Sequence, residues 1–232
     1  MRPRLAAVAS FIPEGTTAAD IGTEQAHLPI FLVKEKNCPG IIGIDSSPHN
    51  VDAAAEKIKE HNLYDKIELR LGSGLHPLAK SDSIDVIVLA GLGGKTICSL
   101  LEESRGKLEL YTRLVLQPMT DTYLVRRWLV ARGFFFPREK LAQEKNRFYE
   151  IIAAEKGRPA ISDPFLLELG PTLLQEGDPL LFPFLQEKLK QYEKVLEGMS
   201  RSRNKVNMAR WRYINYCYRR LKGVLRSVSH GE

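Results

Sequence analysis

The sequence predicts an α/β fold: a mostly parallel sheet with helices on its faces, closed by an antiparallel hairpin and followed by a helical hairpin. Three observations carry this. From Thr16 to about Glu155, short apolar runs rich in Ile, Val and Leu alternate with longer stretches at helical spacing, the signature of a parallel sheet. Pro159, Pro164, Pro171, Pro179 and Pro183, with Gly157, Gly170 and Gly177, then punctuate the chain like a linker. Beyond them, Leu185, Leu189, Tyr192, Leu196 and Met199 recur at 4-3-4-3 spacing, the seam of a coiled coil.

Element by element, Leu5, Val8 and Ile12 fall at helical spacing and make the N-terminus an amphipathic helix rather than a cleaved leader. Thr16–Gly22 is a strand ending in Asp-Ile-Gly, followed by a polar turn and the helix "HLPIFLVKEK". "GIIGID", "KIELRLGS", "SIDVIVLAGL" and "RLVLQPM" are the next four strands. Between them lie the helices "SPHNVDAAAEKIKEHN" and "GGKTICSLLEESRGKL", and "DTYLVRRWLVARG" follows the last of them. "GFFFPREKLAQEKNRFYEIIAAE" reads as two strands around a polar connection. The second half of the seam runs through Val206, Tyr213, Cys217, Leu221 and Val224, and so short a seam folds back as an antiparallel hairpin. The expected layout is a catalytic-type domain over 1–158, a linker over 159–183 and a basic coiled coil over 184–232.

Charge separates these parts. The chain carries +6 overall, and residues 182–232 hold twelve Lys/Arg against four Asp/Glu, which leaves −2 for the first 181. A basic segment on a mildly acidic body is what a polyanion-binding protein needs. No apolar run approaches the roughly 20 residues that span a bilayer, so no membrane partner is expected. Three scattered cysteines without CxxC spacing point to a reducing, cytoplasmic setting and away from disulfides or a metal site.

In an open α/β sheet, ligands bind at the carboxyl ends of the strands. Those ends bring together Asp20–Glu24, Asp45–Ser46, Gly72–Gly74, Gly91–Gly94 and Gln117–Met119. Gly22 lets a ligand approach the backbone, and Asp45, after the second strand, is placed to accept hydrogen bonds from both ribose hydroxyls. "AGLGGKT" offers a flat backbone floor for a planar base, with Lys95 adding charge. Each feature also has a plainer reading: a tight turn for the glycines, a helix-start partner for Asp45 beside Ser46 and Pro48. Their co-location favours a ligand. Neither GxGxxG nor GxxxxGK[ST] occurs, so the ligand is a nucleoside without phosphates, such as S-adenosylmethionine.

The stretches "RLAAVASFIPEG", "ADIGTEQAHLP", "LAGLGGKTI", "RLVLQPM", "RRWLVARGF" and "RFYEIIAAE" resemble, in order and spacing, the bacterial tRNA (adenine-22-N1)-methyltransferases. "GPTLL" and the helix after it resemble that family's C-terminal extension, so the likeness runs from Arg4 to about Leu196. It implies a Rossmann-like, S-adenosylmethionine-dependent methyltransferase sheet, a C-terminal coiled coil and a tRNA substrate, with S-adenosylhomocysteine as product. Carried over position by position, Asp20, Ile21 and Gly22 border the methionine part of the cofactor. Asp45 and Ser46 lie at the ribose, where relatives often have Glu for Asp45, and Gly72, Ser73 and Gly74 lie near the adenine. Ala90 and Gly91 complete the cofactor site. Gly93, Gly94, Gln117 and Pro118 frame the target base beside Lys95 and Met119, and Arg4 and Gln117 sit at the active site. Read from the residues themselves, the basic hairpin with Arg203, Arg210 and Arg212 suits holding an RNA backbone; its plainer reading is a solvated coiled coil with ordinary surface cations. Departures cluster at Thr23-Glu24-Gln25-Ala26-His27, where relatives usually read Ser-Asp-His-Ala-Tyr, at Ser73 for Asp, and at Met119 for Asn.

The implied reaction moves a methyl from a sulfonium to a ring nitrogen, with no metal. Glu24 is the carboxylate expected to serve the adenine, and Asp20 the one expected to position the cofactor. A second reading stays open at this point: an RNA-binding protein of the same fold with weak or no turnover, favoured by Gln25 and Met119. No obligatory protein partner is evident.

Overall fold

The computed structural model describes residues 2–158, 161, 163–201 and 208–229. It divides into two compact units, Met1–Thr172 and Leu173–Glu232. The first is built on seven strands: β1 (Ala18–Ile21), β2 (Ile41–Asp45), β3 (Ile67–Leu71), β4 (Val86–Leu92), β5 (Arg113–Pro118), β6 (Phe134–Glu144) and β7 (Arg147–Lys156). Their order is β3-β2-β1-β4-β5-β7-β6, and β7 is antiparallel to both its neighbours. All the other pairings are parallel. The chain winds outward from β1 to β3, then returns to β4 on the other side of β1. The order therefore reverses between β1 and β4, where a crevice opens.

Helices cover both faces, which is why the inner strands are apolar almost without interruption. Alternate residues go to opposite sides. Ala18, Ile41, Val86, Val88 and Val115 pack in one core with α1 (Pro3–Ala9), α2 (His27–Glu35) and α3 (Pro48–Glu60). Ala19, Ile42, Ile44, Ile87, Leu89, Leu114 and Leu116 pack in the other, with Ile97 and Leu101 of α4 (Gly94–Glu103) and Val125 and Leu129 of α5 (Thr122–Ala131). The N-terminal helix and the turn after it are part of the fold, with Val8, Phe11 and Ile12 fully or almost fully buried.

The segment expected to be a linker over 159–183 is differently built. It contains α6 (Leu166–Leu169) and α7 (Pro171–Glu176), and the boundary between the units falls inside it. The reason is a buried ionic cluster that spacing cannot display. Arg126, on α5, is fully buried and donates from Nε to Glu139 Oε1 at 2.7 Å and from Nη1 to the Leu167 carbonyl at 3.1 Å. Its Nη2 lies 2.8 Å from Glu150 Oε2. Thr172 completes the cluster, donating from its backbone N to Glu139 Oε2 and from its hydroxyl to the Phe136 carbonyl. Phe165, Leu167 and Leu169 are buried alongside.

The second unit holds α8 (Leu181–Arg201) and α9 (Met208–Ser229), which run antiparallel: Tyr218 donates to Glu193, while Leu225 lies near Phe182 and Leu189. Its buried side chains include Phe184, Leu185, Ile214, Cys217 and Leu221. Ile214, not Tyr213, continues the seam in α9; Tyr213 is 41% exposed. Positions 214, 217 and 221 keep the 3-4 rhythm on one face, whereas 213 starts one step off it. Val206 lies outside the described residues.

Removing one member of a buried ion cluster leaves the others uncompensated and costs about 3–5 kcal/mol. Arg126→Met is therefore expected to lower the unfolding free energy by that amount in urea titration. A loss below about 1 kcal/mol would show that the cluster does not anchor residues 163–172.

Candidate active site

Parallel register brings the strand ends level. Ile21 pairs with both Ile44 and Leu89, and Ala90 with Gln117. The chain leaves β1, β2 and β4 along one edge of the sheet, beside the crevice, and there surrounds a cavity of about 500 Å³. Asp20, Ile21, Gly22 and Glu24 line it from the first turn, Asp45 and Ser46 from the second, and Gly72, Ser73 and Gly74 from the third. Ala90 and Gly91 line it from β4, Met119 from the end of β5, and Arg4 from α1. Gly22 and Gly91 have φ of +82° and +81°, a backbone that side chains rarely adopt, and this turns the chain away at the strand ends.

Asp45 does two things at once. Its Oδ2 accepts from the Glu24 backbone N at 3.1 Å, and its Oδ1 accepts from Ser47 N at 3.0 Å and Asn50 Nδ2 at 3.2 Å. It thus ties the turn after β1 to the start of α3, where Ser47 caps the helix and Pro48 opens it. A carboxylate has about four lone-pair positions, so one remains for a ligand in the cavity it lines. The plainer reading of Asp45 and the ligand-binding one are compatible.

Asp20 is 6% exposed, and its carboxyl is pushed up from an ordinary value of 3.8 to about 6. Burial is the main cause, and the Asp45 charge adds to it. The Thr23 hydroxyl and the Arg4 charge pull the other way. A buried carboxyl poised in this way gains most from a cation placed beside it.

Gln117 stands behind the lining, fully buried. Its Oε1 accepts from Arg4 Nη1 at 2.5 Å and from Gly91 N at 3.1 Å, and its Nε2 donates to the Pro118 carbonyl. The expected catalytic glutamine is instead placed to position Arg4 and the glycine turn. Arg4 is held further by its backbone N on Glu144 and by Tyr149, whose ring centre is 5.8 Å from the guanidinium carbon.

Gly93, Gly94, Lys95 and Pro118, expected around the target base, do not line the cavity. Packing explains Gly94: a Cβ there would stand 2.5 Å from the Thr120 carbonyl oxygen. Lys95 is exposed in the first turn of α4, and Pro118 is buried at the end of β5. Arg210 and Arg212 are each exposed on α9, and Arg203 is outside the described residues. Sequence reasoning missed Leu5, His27, Leu28, Ile44, Asn50, Thr96 and Leu100, which also line the cavity. Of these only Asn50 had a signal, one turn into the helix that follows Asp45.

The donor set suits a nucleoside with a cationic tail: a spare carboxylate lone pair after β2, exposed backbone at two glycine turns, and a buried acid after β1. With an antiparallel β7 inserted between β5 and β6, this defines a Rossmann-fold methyltransferase. The family model for tRNA (adenine(22)-N(1))-methyltransferase (TrmK) matches residues 18–215. The chain belongs to that family. It is 30% identical over 204 residues to the tRNA (adenine(22)-N(1))-methyltransferase of Bacillus subtilis, covering 86% of this chain and 85% of that protein. The crystal structure of the B. subtilis m1A22 tRNA methyltransferase superposes with a TM-score of 0.85 at 27% identity, over 97% of this chain and 98% of the other. That of Streptococcus pneumoniae Sp1610 in complex with S-adenosyl-L-methionine does so with a TM-score of 0.85 at 32% identity, over 96% and 98%.

Asp20 yields a prediction whose sign is fixed. Its folded-state pKa lies above the unfolded one, so the native state holds the extra proton between about pH 4 and pH 6. The Asp20 contribution to stability should therefore fall as pH rises through that window, by on the order of 3 kcal/mol in total. Asp20→Asn should lack this contribution, so that it gains stability relative to the wild type as pH rises and is the more stable protein at pH 7. Chemical denaturation across pH 4–7 checks this, and an unchanged slope in the variant would contradict it.

Proposed function

We propose that this protein transfers a methyl group from S-adenosylmethionine to N1 of adenine 22 in tRNA. The observation that carries the proposal is one cavity in which a phosphate-free nucleoside cradle meets Glu24 and Arg4, in a chain of this family. Asp45 and Ser46 hold the ribose of the cofactor, Gly72, Ser73 and Gly74 the adenine, and Asp20 with Ile21 and Gly22 the methionine end. Ala90 and Gly91 form the floor. When bound, the cofactor supplies a methyl group already activated by its sulfonium.

The remaining work falls to this chain. Alignment accounts for most of it, because an in-line transfer between held partners needs no further activation. Adenine N1 becomes cationic when methylated, and the Glu24 carboxylate lines the cavity where that charge develops. Glu24 also serves as acceptor for an N6 proton. Arg4, clamped by Gln117 and Glu144, gives the entrance a fixed cation, and Met119 offers a polarisable thioether to the base. The target adenine must leave its stack to enter. The basic helices of residues 184–232, with Arg210 and Arg212 on α9, hold the tRNA backbone, and Arg203 belongs to the same basic segment. The methyltransferase domain spans 1–158 in this reading. Because tRNA is the substrate and all three cysteines are free, the protein works in the cytoplasm.

Incubation of unmodified tRNA with labelled cofactor, followed by mapping of the modified position, tests this directly. Label at N1 of adenine 22 is expected; tight tRNA binding without incorporation would overturn it. Glu24→Gln should cost at least about a hundredfold in kcat while leaving S-adenosylhomocysteine affinity within about twofold. Unchanged kcat would remove Glu24 from the mechanism.

A further inference from the structure

A second cavity, of about 550 Å³, adjoins the first and has no part in the mechanism above. Arg4, Leu5, Glu24 and His27 line both, so they form the partition. We infer that this second cavity binds the nucleotide next to the target adenine in the RNA strand. The inference rests on the proposed function and adds to it a site for substrate.

Its chemistry is that of a nucleotide. Phe31, half-buried, with Ile30 and Leu5, gives an apolar wall of the kind on which a base stacks. Around it, Arg2 and Lys34 are exposed cations, and neither forms an ion pair with a carboxylate among the described residues. Lys34 Nζ stands 3.1 Å from His61 Nδ1. An ammonium only donates, so this ring nitrogen accepts and the N–H of His61 is left on Nε2. Lys34 and His61 thus present donors side by side, as a phosphate requires. Glu24 and Glu35 also line the cavity, but Arg2, Arg4 and Lys34 outnumber them.

The partition itself is shaped for two occupants. Glu24 and Ala26 both have left-handed backbone, at φ of +53° and +54°, although neither is glycine. Such residues cost on the order of 1–3 kcal/mol each, persist only where the surrounding structure over-determines them, and cluster at active sites and ligand clamps. Between them sits Gln25, which lines only the second cavity, whereas Glu24 lines both. The strained turn thus gives the target base a carboxylate and its neighbour an amide, which can donate and accept at a base edge.

The test uses the full chain, unmodified tRNA and labelled cofactor. Lys34→Gln should raise KM for tRNA at least about threefold and lower the dependence of log KM on log salt by about one unit of slope. Phe31→Leu keeps apolar bulk against the core but loses the flat ring, and should raise KM about fivefold or more. Both variants should bind S-adenosylhomocysteine as the wild type does. If the wild type methylates adenine 22 and both variants keep its KM and salt slope, the subsite is wrong and the function stands. Weakened S-adenosylhomocysteine binding would assign the cavity to the cofactor and also overturn the inference. No methylation of adenine 22 by the wild type would overturn the function, and the subsite with it.

Discussion

The site depends on the Asp45 carboxylate more than on any other single group. It is 8% exposed at the end of β2, and three donors converge on it from Glu24, Ser47 and Asn50. Its own carbonyl accepts from Gly72 N at 2.9 Å, which fastens the turn after β3 to the same point. One residue therefore joins the turns after β1, β2 and β3 into a continuous wall. The left-handed Glu24, whose backbone N–H it receives, is held in place by this link. Hydrogen bonds to a charged acceptor contribute roughly 1.5–3 kcal/mol each, enough to offset the strain of the turn they fix.

The other wall depends on a second long-range link, from α1 to β5. Arg4 and Gln117 are 113 positions apart, yet their hydrogen bond and the one from Gly91 N set the floor and one side of the cavity. The two links meet around Asp20, whose carboxyl is raised by burial and by Asp45 and lowered by Thr23 and Arg4. The cavity thus contains an acid that a bound cation stabilises. A cationic sulfonium ligand fits such an environment better than a neutral nucleoside does.

Much of this was legible in the sequence, because local rules and the global fold agree. Apolar runs such as "IIGID" and "VIVLAGL" are strands buried on both faces, and a parallel sheet sends all their ligand-bearing ends to one edge. What was not legible lies in contacts that no periodicity encodes. Gln117 looked like a base-contacting residue and proved to be a buried brace. Gly94 looked like part of a ligand floor and proved to be a close approach to Thr120. Prolines and glycines hid α6 and α7, whose anchor is the Arg126–Glu139 pair on other elements. In α9, Ile214 was passed over because Tyr213 fitted the same rhythm from the neighbouring face. The second cavity was hidden for a similar reason: Arg2, Phe31 and His61 come from three separate segments.

The most direct test of the account is S-adenosylhomocysteine affinity of Asp45→Asn, measured by calorimetry beside its thermal unfolding. The amide turns two donor hydrogens toward groups that themselves donate, so the wall should loosen while the buried sheet persists. The account predicts affinity lower by about tenfold or more, with cooperative unfolding retained. Wild-type affinity in that variant would show that neither the ribose nor the turn after β1 depends on this carboxylate, and would contradict the account.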